Sequence, residues 1–218
     1  MASIAGLLVV LHLLVSRLPA PPAPASRPPL EYRWPGTWLV LPMLILTFLA
    51  LSYGPIPSYS AQEARALGMG WPSAMLSSYA FGMVLMRLGM GLRGIGADPQ
   101  RLLLPMLILT LGAALGMALL PGGLLRHILS GALYGAGFGM VHTLLFAHAI
   151  LHARPEERGV ALGTQYFAYD AGVGLGSFAM GFPMEAFGYR WGWAFGAMAL
   201  AVAVLLGLRL RRGAWHRV

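Results

Sequence analysis

The sequence predicts an all-α membrane protein, a bundle of six transmembrane helices preceded by a short hydrophobic helix. Three observations predict it. The chain is 58% hydrophobic and 10% charged, with a mean hydropathy of +0.70, outside the range of soluble domains. Six apolar runs reach or approach the ~20 residues that a helix needs to cross a bilayer core. All fifteen basic residues are arginines, and they fall unevenly between alternate connections.

In chain order, the first apolar run, Ile4 to Val15, is too short for a full crossing. It also lacks the preceding positive charge of a secretory signal, because the first basic residue, Arg17, follows it. Residues 1–16 are therefore expected to form a clipped membrane helix. Between Arg17 and Gly36, Pro19, Pro21, Pro22, Pro24, Pro28 and Pro29 deny the chain a helix and make residues 17–36 an extended linker. The body, residues 37–212, follows with six runs: Thr37 to Ile56, Pro72 to Leu92, Leu102 to Leu120, His127 to Leu151, Gly159 to Phe182 and Trp191 to Leu208. Short connections make sequential helices antiparallel neighbours. Residues 213–218 form a tail.

Orientation follows from the arginines. One set of alternate connections holds twelve (Arg17, Arg27, Arg33, Arg87, Arg93, Arg101, Arg154, Arg158, Arg209, Arg211, Arg212 and Arg217) and the other only Arg65, Arg126 and Arg190. The positive-inside rule places the first set, with the carboxyl terminus, in the cytoplasm. The net charge of +8 is thereby explained by topology, and no nucleic-acid partner is expected. The absence of cysteine excludes disulfides, thiolate metal sites and cysteine nucleophiles. With no nucleotide-binding loop or metal-ligand cluster in the sequence, neither cofactor nor metal is expected, and energy has to come from a gradient or a partner.

Several motifs carry more specific content. The second connection of the body reads Arg87-Leu-Gly-Met-Gly-Leu-Arg93-Gly94-Ile-Gly-Ala-Asp98-Pro99-Gln-Arg101. The fourth reads Arg154-Pro155-Glu156-Glu157-Arg158 and leads into Gly159 to Ser177, a glycine-rich run containing Gln165, Tyr166 and Asp170. Pro155 suits a first helical turn, and the two glutamates complement the positive end of the helix dipole. At helical spacing Gly163, Tyr166, Asp170, Gly174, Ser177 and Gly181 share a face. Small residues on such a face allow close packing of helices.

Gly94-x-x-x-Asp98 with Arg87 and Arg101 resembles the second copy of the loop motif of the major facilitator superfamily, although Pro99 and a shortened spacing depart from it. The loop from Arg154 to Arg158 and the glycine-rich run resemble that family's approach to its eleventh helix. The resemblance covers about Trp34 to Arg212. It implies a half-transporter made of two inverted three-helix repeats, with the stub Ile4 to Val15 corresponding to the end of the sixth helix. Gly181-x-x-x-Glu185, which repeats Gly94-x-x-x-Asp98 on the opposite membrane face, fits that inversion. The family's amino-terminal half is missing, so a separate half-transporter or a second copy of the chain is the expected partner, unless the chain is a truncated product. The implied function is secondary transport in a bacterial inner membrane, with proton-coupled efflux of a small organic molecule as the expected form.

Asp170 is the expected proton site. An ionised carboxylate near mid-helix costs about 2.5 to 3.5 kcal/mol in the membrane, so it is expected to face the protein interior. His142, at fourfold spacing from Tyr134 and Phe138, is the second proton-coupling candidate. Tyr53, Tyr134, Gln165 and Tyr166 are expected to line the substrate cavity. Tyr53 adjoins Gly54-Pro55-Ile-Pro57, where the helix either ends or breaks to expose backbone groups. Arg87, Asp98, Arg101, Arg154, Glu157 and Arg158 are the expected cytoplasmic gate. Two rival functions are a membrane subunit that does not itself transport and an intramembrane serine hydrolase built on Ser177 and His142, which needs the two side chains within hydrogen-bond reach.

Overall fold

The computed structural model describes residues 36–93 and 99–213. The amino-terminal stub, the linker up to Pro35, Asp98 and the last five residues lie outside the described residues. Among the described residues there are seven α-helices, no strands and two short 3-10 turns. The helices are α1 (Val40–Tyr53), α2 (Ile56–Ala66), α3 (Ala74–Arg93), α4 (Pro99–Leu119), α5 (Leu124–His152), α6 (Arg158–Phe187) and α7 (Tyr189–Gly213).

The apolar runs became helices within a few residues of their predicted ends. At the Gly54-Pro55 interruption the chain does not stop. Gly54 and Pro55 both keep right-handed helical angles, and α2 continues the line of α1 to Ala66 as one element of 30 residues. The break is closed by packing. A Cβ at Gly54 would overlap the Val173 carbonyl oxygen of α6, so a glycine is required there by the close approach of another helix. Its role is contact with a neighbour, not the exposure of backbone to a cavity.

Among the described residues, five elements are long and apolar enough to cross a membrane: α1 with α2, α3, α4, α5 and α7. The remaining helix, α6, is 30 residues long but carries Gln165 and Asp170 among its glycines. At ~1.5 Å per residue it is ample for a ~30 Å core. Outside the bundle, Phe81, Leu85, Leu88, Ile108, Phe167 and Leu205 stand exposed. In water such a belt would aggregate, whereas against lipid tails it is the ordinary surface.

The packing repeats itself. α3 packs on α5 as α6 packs on α1, α4 packs on α5 as α7 packs on α1, and α4 meets α7. Exchanging α1 with α5, α3 with α6 and α4 with α7 maps these five contacts onto themselves, whereas α6 also packs on α7 and meets α5 without a comparable contact of α3 with α4 or α1. An odd number of crossings per repeat turns the second repeat upside down relative to the first, which is an inverted repeat. Glycines hold both equivalent interfaces together. On α5, a Cβ at Gly131 or Gly135 would overlap the Met75 or Tyr79 carbonyl oxygen of α3. On α6, the same holds for Gly172 and Gly176 against the Thr47 and Leu51 carbonyls of α1. In lipid no hydrophobic force drives helices together, so backbone approach of this kind supplies the dispersion contacts that do.

Candidate functional site

From α1, α3, α5 and α6 a continuous wall of rings runs along the bundle. Tyr53 lies 4.8 Å from Phe138 and 5.4 Å from Tyr79. Along α5 the fourfold stripe of Tyr134, Phe138 and His142 forms as predicted and extends to Phe146, whose ring stacks on His142 at 4.5 Å. From α6, Tyr169 meets the His142 imidazole edge-on at 5.3 Å, and Tyr166 reaches Phe146 at 4.6 Å. Phe146 and Tyr169 were not anticipated, although Phe146 is simply the next step of the stripe.

The tyrosines divide by burial. Tyr53 is half-buried and Tyr166 is exposed, so both present ring surface beyond the core. Tyr134 does not. It is 1% exposed and donates its hydroxyl to Ser52 Oγ at 3.1 Å, which makes it a buried tie between α5 and α1 and corrects its assignment to the cavity lining. Gln165 is also fully buried, and neither its amide nitrogen nor its carbonyl oxygen has a hydrogen-bond partner. Its expected place on the cavity surface is corrected in the same way.

Asp170 is exposed on α6, away from the helices that α6 packs against. The cause is the register of α6. Its buried stripe is Ala161, Gln165, Ala168, Gly172, Gly176 and Met180, and this is the face pressed on the rest of the bundle. Gly163, Tyr166 and Gly174 share the open face with Asp170, and Cβ atoms built at Gly163 and Gly174 meet nothing within 4 Å. Thus the glycines of α6 serve two faces, one packed and one bare. Ser177 and Gly181 leave the bare face for contacts with Gly54 and Tyr59. No ion pair joins Asp170 to His142 among the described residues.

At the arginine-rich end, Arg87, Arg101, Arg154 and Arg158 are exposed and Glu157 is half-buried. Pro155–Glu157 forms a 3-10 turn that feeds α6, as the proline and acidic residues imply. Among the described residues no ion pair joins Arg154, Glu157 and Arg158, and Asp98 lies outside them. Nearby, His148 is buried beside His152 and Trp38.

The opposite end holds a group that sequence reasoning missed. Glu63 of α2 is buried and accepts hydrogen bonds from Arg126 Nη2 at 2.6 Å and from Trp193 Nε1 at 2.9 Å, with His127 Nε2 at 3.5 Å. Arg126 also donates to the Met117 and Leu120 carbonyls, while Arg190 donates to those of Ala118 and Leu119. Four successive carbonyls at the carboxyl end of α4, which have no partners within their own helix, are thereby satisfied by two guanidinium groups. This explains two of the three arginines on the arginine-poor side, Arg126 and Arg190, as structural clamps. Their isolation in the charge count was the available signal.

Ser177 donates its hydroxyl to the Val173 carbonyl at 2.9 Å, and no histidine is bonded to it among the described residues. A serine hydrolase site is not assembled. An apolar-belted bundle of long helices defines a multi-pass integral membrane protein. The family model of the Major Facilitator Superfamily matches residues 1–177, and the chain belongs to that family. A search of curated proteins found no match.

Proposed function

We propose that the protein is a proton-coupled secondary transporter that exports a small organic molecule across a bacterial inner membrane, with its arginine-rich end in the cytoplasm. The observation that carries this reading is the continuity of the ring wall with the bare face of α6. Tyr166 belongs to both, so the aromatic surface leads to the face on which Asp170 stands. Tyr53, His142 and Tyr166, which keep ring surface outside the core, offer flat surface to an organic substrate. Asp170 is the group that takes up and releases the proton, with His142 as a polar partner within the wall. The bare face is one side of a path, and a second six-helix half or a second copy of the chain supplies the other side. Arg87, Arg101, Arg154 and Arg158, together with Asp98 and Glu157, form the cytoplasmic gate. Export is the direction we favour by analogy with the family.

In proteoliposomes containing the full chain and an internal pH-sensitive dye, small organic molecules screened under an imposed pH gradient are expected to include one that elicits proton flux. The Asp170→Asn variant is expected to lower that flux at least tenfold while Trp fluorescence and melting stay unchanged. Undiminished flux would remove Asp170 from the coupling role. Absence of flux with every molecule, together with co-purification of a distinct membrane protein, would favour a non-transporting subunit, for which the bare glycines at Gly163 and Gly174 also offer a docking face for a partner helix.

A further inference from the structure

Beyond the wall and Asp170, a cavity lies at the arginine-poor end, between α2, α6 and the start of α7. It has a volume of about 530 Å³, within the range of sites for small organic ligands. Tyr59 and Gln62 line it from α2, Phe178, Phe182 and Glu185 from α6, and Tyr189 from α7. The motif Gly181-x-x-x-Glu185 builds part of it. A Cβ at Gly181 would collide with the Tyr59 hydroxyl, so the glycine lets that phenol lie against α6, and Glu185 follows one turn later. The motif that resembled a loop repeat thus shapes a concave surface.

The charge of this cavity has one sign. Glu185 is its acidic lining residue, and no arginine or histidine lines it. Glu185 has no ion-pair partner among the described residues. The adjacent Arg190 is committed to the Ala118 and Leu119 carbonyls at 3.1 and 2.8 Å. Tyr59, Phe178, Phe182 and Tyr189 line the same cavity as Glu185, and ring faces attract cations. Counted from Arg158, Glu185 lies roughly 40 Å along α6, beyond a ~30 Å hydrocarbon core and within reach of the aqueous or headgroup layer. It is also roughly 22 Å along the helix from Asp170, too far for the two carboxylates to share one small ligand.

We propose that this cavity binds an organic ammonium ion, the charge resting on Glu185 and the substituents on Tyr59, Phe178, Phe182 and Tyr189. The ammonium group can belong to a free organic cation or to a lipid headgroup. The site stands independently of transport and of Asp170.

The test is titration of the purified full chain with benzyltrimethylammonium, followed by calorimetry in a nonionic maltoside detergent. Saturable binding is expected, weakened at least tenfold by Glu185→Gln, weakened less by Phe182→Leu, and unchanged by Asp170→Asn. Benzenesulfonate, an aromatic anion of similar size, should not bind. The proposal is overturned by the absence of saturable binding, by equal binding to Glu185→Gln, or by comparable binding of the anion. Loss of binding in Asp170→Asn but not in Glu185→Gln also overturns it, by moving the cation to the other face. Repeating the titration in phosphatidylcholine and phosphatidylglycerol nanodiscs separates the two sources. Competition by the choline lipid alone identifies a headgroup site, and equal affinity in both identifies a site for free cations.

Discussion

Glu63→Gln should destabilise the bundle by about 3–5 kcal/mol, the penalty of leaving a buried guanidinium without its counter-charge. The substitution keeps the shape of the side chain and removes only the charge that Arg126 and His127 face. Trp193 keeps an acceptor, because an amide carbonyl can still receive its Nε1–H. The effect therefore isolates the ion pair. In detergent, with unfolding followed by Trp fluorescence, the midpoint should fall on the order of 10 °C, given the shift per kcal/mol typical of a chain this size. Adding Arg126→Met removes the stranded charge and should restore much of the loss. Restoration should be incomplete, because the Met117 and Leu120 carbonyls then lose their donor. Wild-type melting of Glu63→Gln would mean that the cluster does not hold α2, α5 and α7 together.

Gly176→Leu and Gly174→Leu should differ sharply although they lie two residues apart on the same helix. A Cβ at Gly176 lands on the Leu51 carbonyl oxygen of α1, a backbone atom that cannot rotate away, so α6 must move off α1 along its length. Overpacking commonly costs about 1–3 kcal/mol when side chains can yield, and a backbone collision belongs at or above the upper end. At Gly174 a Cβ meets nothing within 4 Å, and the same substitution should change stability within about 0.5 kcal/mol. Comparing the two melting curves in detergent checks this. Equal destabilisation would contradict the register of α6, and with it the outward placement of Asp170.

The parts of the fold that depend on local composition were legible in the sequence, and those that depend on distant partners were not. Every membrane helix but the first was found close to its ends, because crossing a bilayer demands a length of apolar chain that needs no partner to be recognised. The continuation of α1 into α2 was missed because Ser58 to Arg65 reads as polar and Pro55 and Pro57 read as an end. Glu63 was missed for a related reason. Its partners Arg126 and Trp193 are 63 and 130 residues away, and only folding makes a charge in that position tolerable. The α5 stripe was readable from fourfold spacing, but spacing did not tell a lining tyrosine from a buried one. The Tyr134 hydroxyl finds Ser52, 82 residues earlier. On α6, glycines on all sides hid which face was packed, and the general penalty of a charge in lipid did not tell whether Asp170 would lie against this bundle or on its open face. Its exposed position leaves that penalty to be met by water or by a partner across the bare face.

That requirement can be measured directly, because the chain contains no cysteine and any introduced thiol is a clean reporter. Single Gly163→Cys and Gly174→Cys variants flank Asp170 on the bare face, and Leu88→Cys and Ile108→Cys stand on the exposed apolar belt. Treated in native membranes with a charged, water-soluble methanethiosulfonate reagent, the first two should react and the belt positions should not. If Gly163→Cys and Gly174→Cys react only with a lipid-soluble maleimide, as the belt positions do, then the face bearing Asp170 lies against lipid and is not the wall of a transport path.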